Sequence, residues 1–226
     1  MSAEARRRAY LKALDIDIYT LRGQDGTIEE PCGESVPDVT PPDWESLRKA
    51  VVACTRCSLH ENRTQTVFGV GNRNADWMII GEAPGQEEDR CGEPFVGRAG
   101  KLLDEMLRAA GLARDKVFIA NILKCRPPNN RDPSVDEASS CRSYLNRQIE
   151  LVSPKIILAV GRIAAQYLLD TDAPVGRMRG RKHVLASGQL PVIVTYHPAY
   201  LLRSPTQKRK AWQDLVLARQ VMEGTA

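Results

Sequence analysis

No stretch of the chain approaches the roughly 20 consecutive apolar residues that span a bilayer, so nothing in the sequence reads as a membrane helix. Internal repeats and low-complexity tracts are absent as well. Aromatic residues are sparse at 5%, with three Phe, and there are three His. No Gly-Lys-Ser or Gly-Lys-Thr follows the segment Gly81-Glu82-Ala83-Pro84-Gly85, which removes a phosphate-loop reading. The N-terminal residues Met1 to Arg8 are basic, but Ala9 to Asp15 carry charges where a secretory signal needs an unbroken apolar core. A soluble, cytoplasmic protein is therefore expected. In that compartment six cysteines serve as metal ligands or free thiols more readily than as disulfides.

What is present is ordinary in bulk. Hydrophobic residues make up 42% and charged residues 27% of 226 positions, enough for one sizeable core. The net charge of +4 is compatible with a polyanionic partner without requiring one. Residues 4–14 have the pattern of a short helix, and 15–43 are rich in Gly, Pro and acidic residues with little periodicity. The expected organisation is an N-terminal arm or linker over 1–40 and a folded domain over 41–226.

Beyond the arm, strand and helix signals alternate. Asp43 can cap a helix from about Trp44 to Ala53. Short apolar runs at 77–80, 117–120, 156–160 and 191–195 read as buried strands. Helical spacing appears over 99–110, from Ser134 to about Leu151 with Glu137 placed for a capping box, over 162–169 and over 208–222. Residues 180–190 suggest a small extra hairpin. Strand–helix units of this kind predict an α/β fold, a three-layer α/β/α sandwich on a central, mainly parallel four-stranded sheet. Ligands of such sheets gather at the carboxyl ends of the strands. The polar segments Gly81 to Gly85, Asn121 and His197-Pro198 all fall there.

The cysteines form a set. Cys54-Thr55-Arg56-Cys57 is a CxxC, and Cys125 and Cys141 make a second pair with fifteen residues between them. Four thiolates can hold zinc or an iron–sulfur cluster, and the spacing leaves the two level. Buried free thiols are the bland alternative. A thioredoxin-like redox pair is disfavoured because the CxxC does not sit in a βαβ setting. Cys32 and Cys91 stand apart and read as free thiols.

Three motifs, taken together, are specific. Gly81-Glu82-Ala83-Pro84-Gly85-Gln86-Glu87-Glu88-Asp89 with Pro94-Phe95-Val96-Gly97-Arg98-Ala99-Gly100 resembles the first motif of family 4 uracil-DNA glycosylases. Asn121-Ile122-Leu123-Lys124-Cys125-Arg126-Pro127-Pro128-Asn129-Asn130-Arg131 resembles the central motif, and His197-Pro198-Ala199-Tyr200-Leu201-Leu202-Arg203 the last. The resemblance runs from about Cys54 to the final helix and leaves residues 1–40 unexplained. It implies a [4Fe–4S] cluster on Cys54, Cys57, Cys125 and Cys141, which decides against zinc. A branch that captures DNA covalently has a basic, histidine-containing insertion after the central motif. This chain passes directly from Arg126-Pro127-Pro128 to Asp132-Pro133-Ser134, which favours the hydrolytic branch.

The resemblance implies excision of uracil from DNA in base excision repair, by a monomer. The alternative is a related glycosylase acting on hypoxanthine or xanthine. Such an enzyme extrudes the nucleotide into a pocket, here expected to involve Gly81, Glu82, Ala83, Glu88, Phe95, Asn121 and His197. Phe95 can stack on the base. Asn121 can accept from uracil N3–H and donate to O4, a pattern that cytosine reverses. His197 can donate to O2 as charge develops there. Ala83 stands where the best-known uracil glycosylases have Asp. Glu82 is the nearest carboxylate, a candidate base or else a side chain that faces the base edge or buttresses the loop, in which case backbone carbonyls would hold the water. Glu88 is a candidate gate against a 5-methyl group, or a solvated side chain. Leu201 or Leu202 can wedge into the vacated stack. Arg126, Arg131, Arg203 and Lys208 are candidate phosphate contacts.

Overall fold

The chain's structure, a computed structural model, describes residues 43–186 and 188–225. The expected helix over 4–14, the arm over 1–40 and Cys32 lie outside the described residues. Four apolar runs become parallel strands: β2 (Trp77–Gly81), β3 (Phe118–Asn121), β4 (Ile156–Val160) and β6 (Pro191–Thr195). Nearly every residue in them is buried, as expected of strands covered on both faces.

Among the described residues the sheet has six strands rather than the four expected, in the order β1-β3-β2-β4-β6-β5. The two additions are short antiparallel edges. β1 (Val70–Gly71) pairs with β3, and β5 (Lys182–Val184) pairs with β6. The hairpin expected over 180–190 is thus the outer edge of the main sheet.

Alternation along the strands feeds two cores. Met78, Ile80, Ala120, Ile157, Ala159, Val192 and Val194 face one side. There they meet α5 (Val135–Val152) and α6 (Arg162–Leu169). Ile79, Ile119, Ile156, Leu158, Val160 and Ile193 face the other side. They meet α4 (Arg98–Ala109) and α9 (Lys208–Glu223). A third, smaller cluster joins α1 (Trp44–Val52) to Phe68 and Tyr144. The remaining short helices are α2 (Leu59–Asn62), α3 (Gln86–Cys91), α7 (Val175–Met178) and α8 (Pro198–Arg203).

The expected caps are present. Asp43 accepts from Ser46 N at 2.9 Å. Ser134 and Glu137 form a reciprocal capping box at the start of α5. Among the described residues no helix is long and apolar enough to cross a membrane.

Candidate active site and cysteine cavity

Gly81 and Asn121 end adjacent strands and are register partners. His197 follows the end of β6 by two residues and starts α8. Strand β4 runs between β2 and β6, and a side chain at its end would stand in the way. Gly161 occupies that place with φ +100°, and a Cβ there would lie 3.1 Å from the His197 Cβ. At Gly81 a Cβ would lie 2.5 Å from both Asn121 Oδ1 and Phe95 Cζ. The Phe95 and His197 rings are 5.7 Å apart between centroids, tilted by 32°. The three side chains therefore close around one space, which exists because two strand ends carry no side chain.

That space opens into a cleft of about 440 Å³, lined by Glu82, Ala83, Glu88, Phe95, Asn121 and His197 among others. The size suits a small-molecule ligand, for which pockets of ~300–1,000 Å³ are usual. Asn121 Oδ1 is buried there and has no hydrogen-bond partner among the described residues. A buried acceptor left alone is costly, and a ligand donor at this atom would remove that cost.

His197 Nδ1 accepts from Ala199 N at 3.1 Å. Burial pushes its pKa down to about 4, with Arg203 acting in the same direction and Glu88 opposing. The imidazole is thus neutral near pH 7. The bond to Nδ1 leaves the proton on Nε2, which makes that atom a donor.

The two glutamates have separate tasks. Burial raises the Glu82 carboxyl to about 7; the nearby Asp132 adds to this and Arg162 opposes it. Asp132 and Arg162 are themselves paired at 2.5 Å. The Glu82 side chain makes no hydrogen bond among the described residues. Glu88 accepts from Gly85 N at 3.1 Å, Val96 N at 3.0 Å and Gly97 N at 3.1 Å. Both of its oxygens are committed to backbone, so it is a staple between α3 and the Phe95 loop rather than a solvated side chain. Asp89 does similar work, accepting from Thr64 N at 3.0 Å.

The four cysteines of the set line one narrow cavity together with Arg56, Arg63 and Lys124. Its free volume is small, about 10 Å³. Arg63 donates to Cys125 Sγ at 3.2 Å, and Arg56 lies 4.7 Å over the Tyr144 ring. Burial raises the Cys125 thiol and pushes Cys141 up to about 11. Among the described residues no group of three or more His, Cys, Asp or Glu is disposed to hold a single metal ion. Cys91 is a free, exposed thiol.

Sequence reasoning missed Lys124. Its ammonium is buried and donates to Asn121 O at 2.8 Å and Gln148 Oε1 at 2.6 Å. Gln148 in turn donates to Phe68 O at 2.8 Å. Burial lowers the Lys124 pKa to about 7, against the pull of Cys141 and Cys125. The available signal was a cation between the last strand residue and a cysteine, directly after an apolar run.

The expected DNA contacts divide. Arg203 is exposed and lines the cleft. Lys208 is exposed at the start of α9. Arg131 makes a two-pronged pair with Glu137 at 2.8 and 2.6 Å, and Arg126 bonds Asn130 at 2.7 Å. Leu201 is 1% exposed while Leu202 is 37% exposed. Leu201 is therefore packed in the core, while Leu202 stands at the surface.

Comparison with known proteins gives the family. Residues 68–216 match the model of the uracil DNA glycosylase superfamily. A type-4 uracil-DNA glycosylase of Archaeoglobus fulgidus is 43% identical over 75% of this chain and 88% of its own length. One from Sulfurisphaera tokodaii is 42% identical over 78% and 84%, and one from Thermotoga maritima 42% identical over 77% and 92%. The chain belongs to the uracil-DNA glycosylase superfamily and, within it, to the type-4 family.

Proposed function

We propose that the chain releases uracil from DNA by hydrolysing the bond between the base and its sugar, leaving an abasic site for base excision repair. The observation that carries this reading is the orphan Asn121 Oδ1, set beside a buried aromatic ring and a neutral imidazole donor. Uracil N3–H supplies the donor that Asn121 Oδ1 lacks. Cytosine presents a lone pair at that position and is rejected, because two acceptors then face each other in a buried site.

In the reaction the base stacks on Phe95 and the C1′–N1 bond breaks, its electron pair leaving with N1. Charge spreads to O2, where His197 Nε2–H donates to it. A neutral donor whose bond strengthens as charge develops acts in the transition state. Water attacks C1′ and gives up a proton. Glu82 is the carboxylate of the cleft free to take it, with its pKa near neutrality. Leu202 enters the gap in the stack, and Arg203 and Lys208 contact phosphates.

We assign Cys54, Cys57, Cys125 and Cys141 to a [4Fe–4S] cluster. The four thiols line one shared cavity, and four thiolates are the donor set such a cluster takes. The cationic side chains of Arg56, Arg63 and Lys124 suit the negative charge of a thiolate-bound cluster. When bound, the cluster supplies a cross-link between the loop after α1, the loop after β3 and α5. The activity is tested by release of free uracil from a uracil-containing oligonucleotide, with hypoxanthine and xanthine substrates alongside. Absence of uracil release, with another base released instead, would overturn it.

A further inference from the structure

Between Asp172 and Asp214 the chain contains no acidic residue, yet this window holds a dense set of cations. Two groups of them are exposed: Arg177, Arg181 and Lys182 before and within β5, and Lys208, Arg209 and Lys210 at the start of α9. The fold brings the groups together. Arg179, between them in space, donates to Lys210 O at 2.6 Å and pairs with the buried Asp214 at 2.9 Å.

The register fixes which rim they occupy. β5 is antiparallel to β6, with Lys182 opposite Ile193. The residues just before Lys182 therefore lie at the carboxyl end of β6, the same end that carries His197. Arg179 also lies 5.8 Å from the Tyr196 ring, and Tyr196 is 5.0 Å from Tyr200. The cleft, α8 and the β5 edge thus form one continuous rim.

These six cations form no ion pair among the described residues. Elsewhere on the surface pairing is the habit: Arg73 with Glu45, Arg90 with Glu87, Arg114 with Asp104, Lys155 with Asp76. Like charges crowded without acids repel one another, a cost that an anionic ligand offsets.

We propose that this part of the rim extends the phosphate contacts of Arg203 and Lys208 into a wider DNA-binding surface, holding the phosphate backbone on one flank of the nucleotide in the cleft. The proposal rests on the reading of the chain as a DNA glycosylase and adds a surface to it. From β2 to β5 is three strand spacings, roughly 15 Å. That reach spans about four nucleotides of one B-form strand.

The test uses Arg177→Gln/Arg181→Gln and Arg209→Gln/Lys210→Gln, with Arg48→Gln/Lys49→Gln on α1 as a matched reduction in charge. Affinity for a long uracil-free duplex is measured by fluorescence anisotropy over a range of salt, and uracil release is measured in parallel. In both rim variants the slope of log affinity against log salt becomes shallower by roughly 0.9 for each phosphate no longer neutralised. KM for a long substrate rises and kcat is unchanged. The penalty disappears when one particular flank is trimmed to the nucleotide beside the uracil. Salt slopes equal to those of the native protein, or a weakening matched by the α1 control, overturn the proposal. A native protein that releases no uracil overturns the activity instead, and the binding slopes still decide the surface.

Discussion

The Lys124 ammonium, shut away from solvent, donates at 2.8 Å to the main-chain carbonyl of Asn121, a residue that lines the cleft. One end of this link is the cleft and the other is a residue adjacent to Cys125. Replacing Lys124 by Met leaves the Asn121 and Gln148 oxygens without their donor. Unsatisfied buried acceptors cost ~1–3 kcal/mol each, so unfolding in urea should show a loss of about 2–6 kcal/mol. The same variant should raise KM for uracil substrates more than it lowers kcat, because the strand end that aims Asn121 loses its anchor. A variant of native stability and native KM would show that the link is dispensable.

Glu82 makes two predictions of opposite kind. Its carboxyl titrates near 7 in the folded chain and at an ordinary 4.5 when unfolded. A raised carboxyl stabilises the fold relative to its ionised form only while it is protonated. That contribution is complete below about 4.5 and lost as pH rises through about 7. Glu82→Gln should therefore be more stable than the native protein at pH 8, by on the order of 3 kcal/mol, and no more stable at pH 4.5. Activity should run the other way. As a base Glu82 must be ionised, so kcat should climb through pH 7 in the native enzyme and be low and flat in Glu82→Gln. A native profile without that limb would remove Glu82 as the base.

Leu201 and Leu202 are neighbours with different fates. Leu201→Ala should cost about 2–5 kcal/mol of stability, as core truncations do. Leu202→Ala should be nearly neutral in thermal unfolding and should lower uracil release from duplex more than from single strands, where no partner stack has to be filled. Equal losses on the two substrates would argue against a wedge.

Purified protein should be brown and contain iron and acid-labile sulfide in about a four-to-four ratio per chain. Cys141→Ser should lose much of both and unfold at lower temperature, because the cavity walls then lack their cross-link. Zinc in place of iron, found by elemental analysis, would overturn the cluster assignment.

The four parallel strands were legible because a strand buried on both faces is a continuous apolar run, as in Ile156–Val160. The edges were not. Val70–Gly71 is two residues long, and Lys182–Val184 shows alternating exposure that matches many loops. The rim residues Gly81, Asn121 and His197 could be placed because strand ends are readable. The tasks of Glu82 and Glu88 could not, since both follow from what surrounds a carboxylate in space. Asp132, which raises Glu82, lies fifty residues away in sequence. Lys124 escaped notice for the same reason: a lysine is assumed exposed until tertiary packing closes over it.

Phe95 has φ +54°, a conformation that a bulky residue adopts only when its surroundings insist. The three backbone bonds to Glu88 and the close seating of Gly100 against the Phe95 main chain supply that insistence. The ring's posture is accordingly a property of the scaffold, not of the loop. Grafted alone onto another protein, residues 94–97 would relax and point their ring elsewhere; transplanting the recognition platform means transplanting α3 and the first turn of α4 with it.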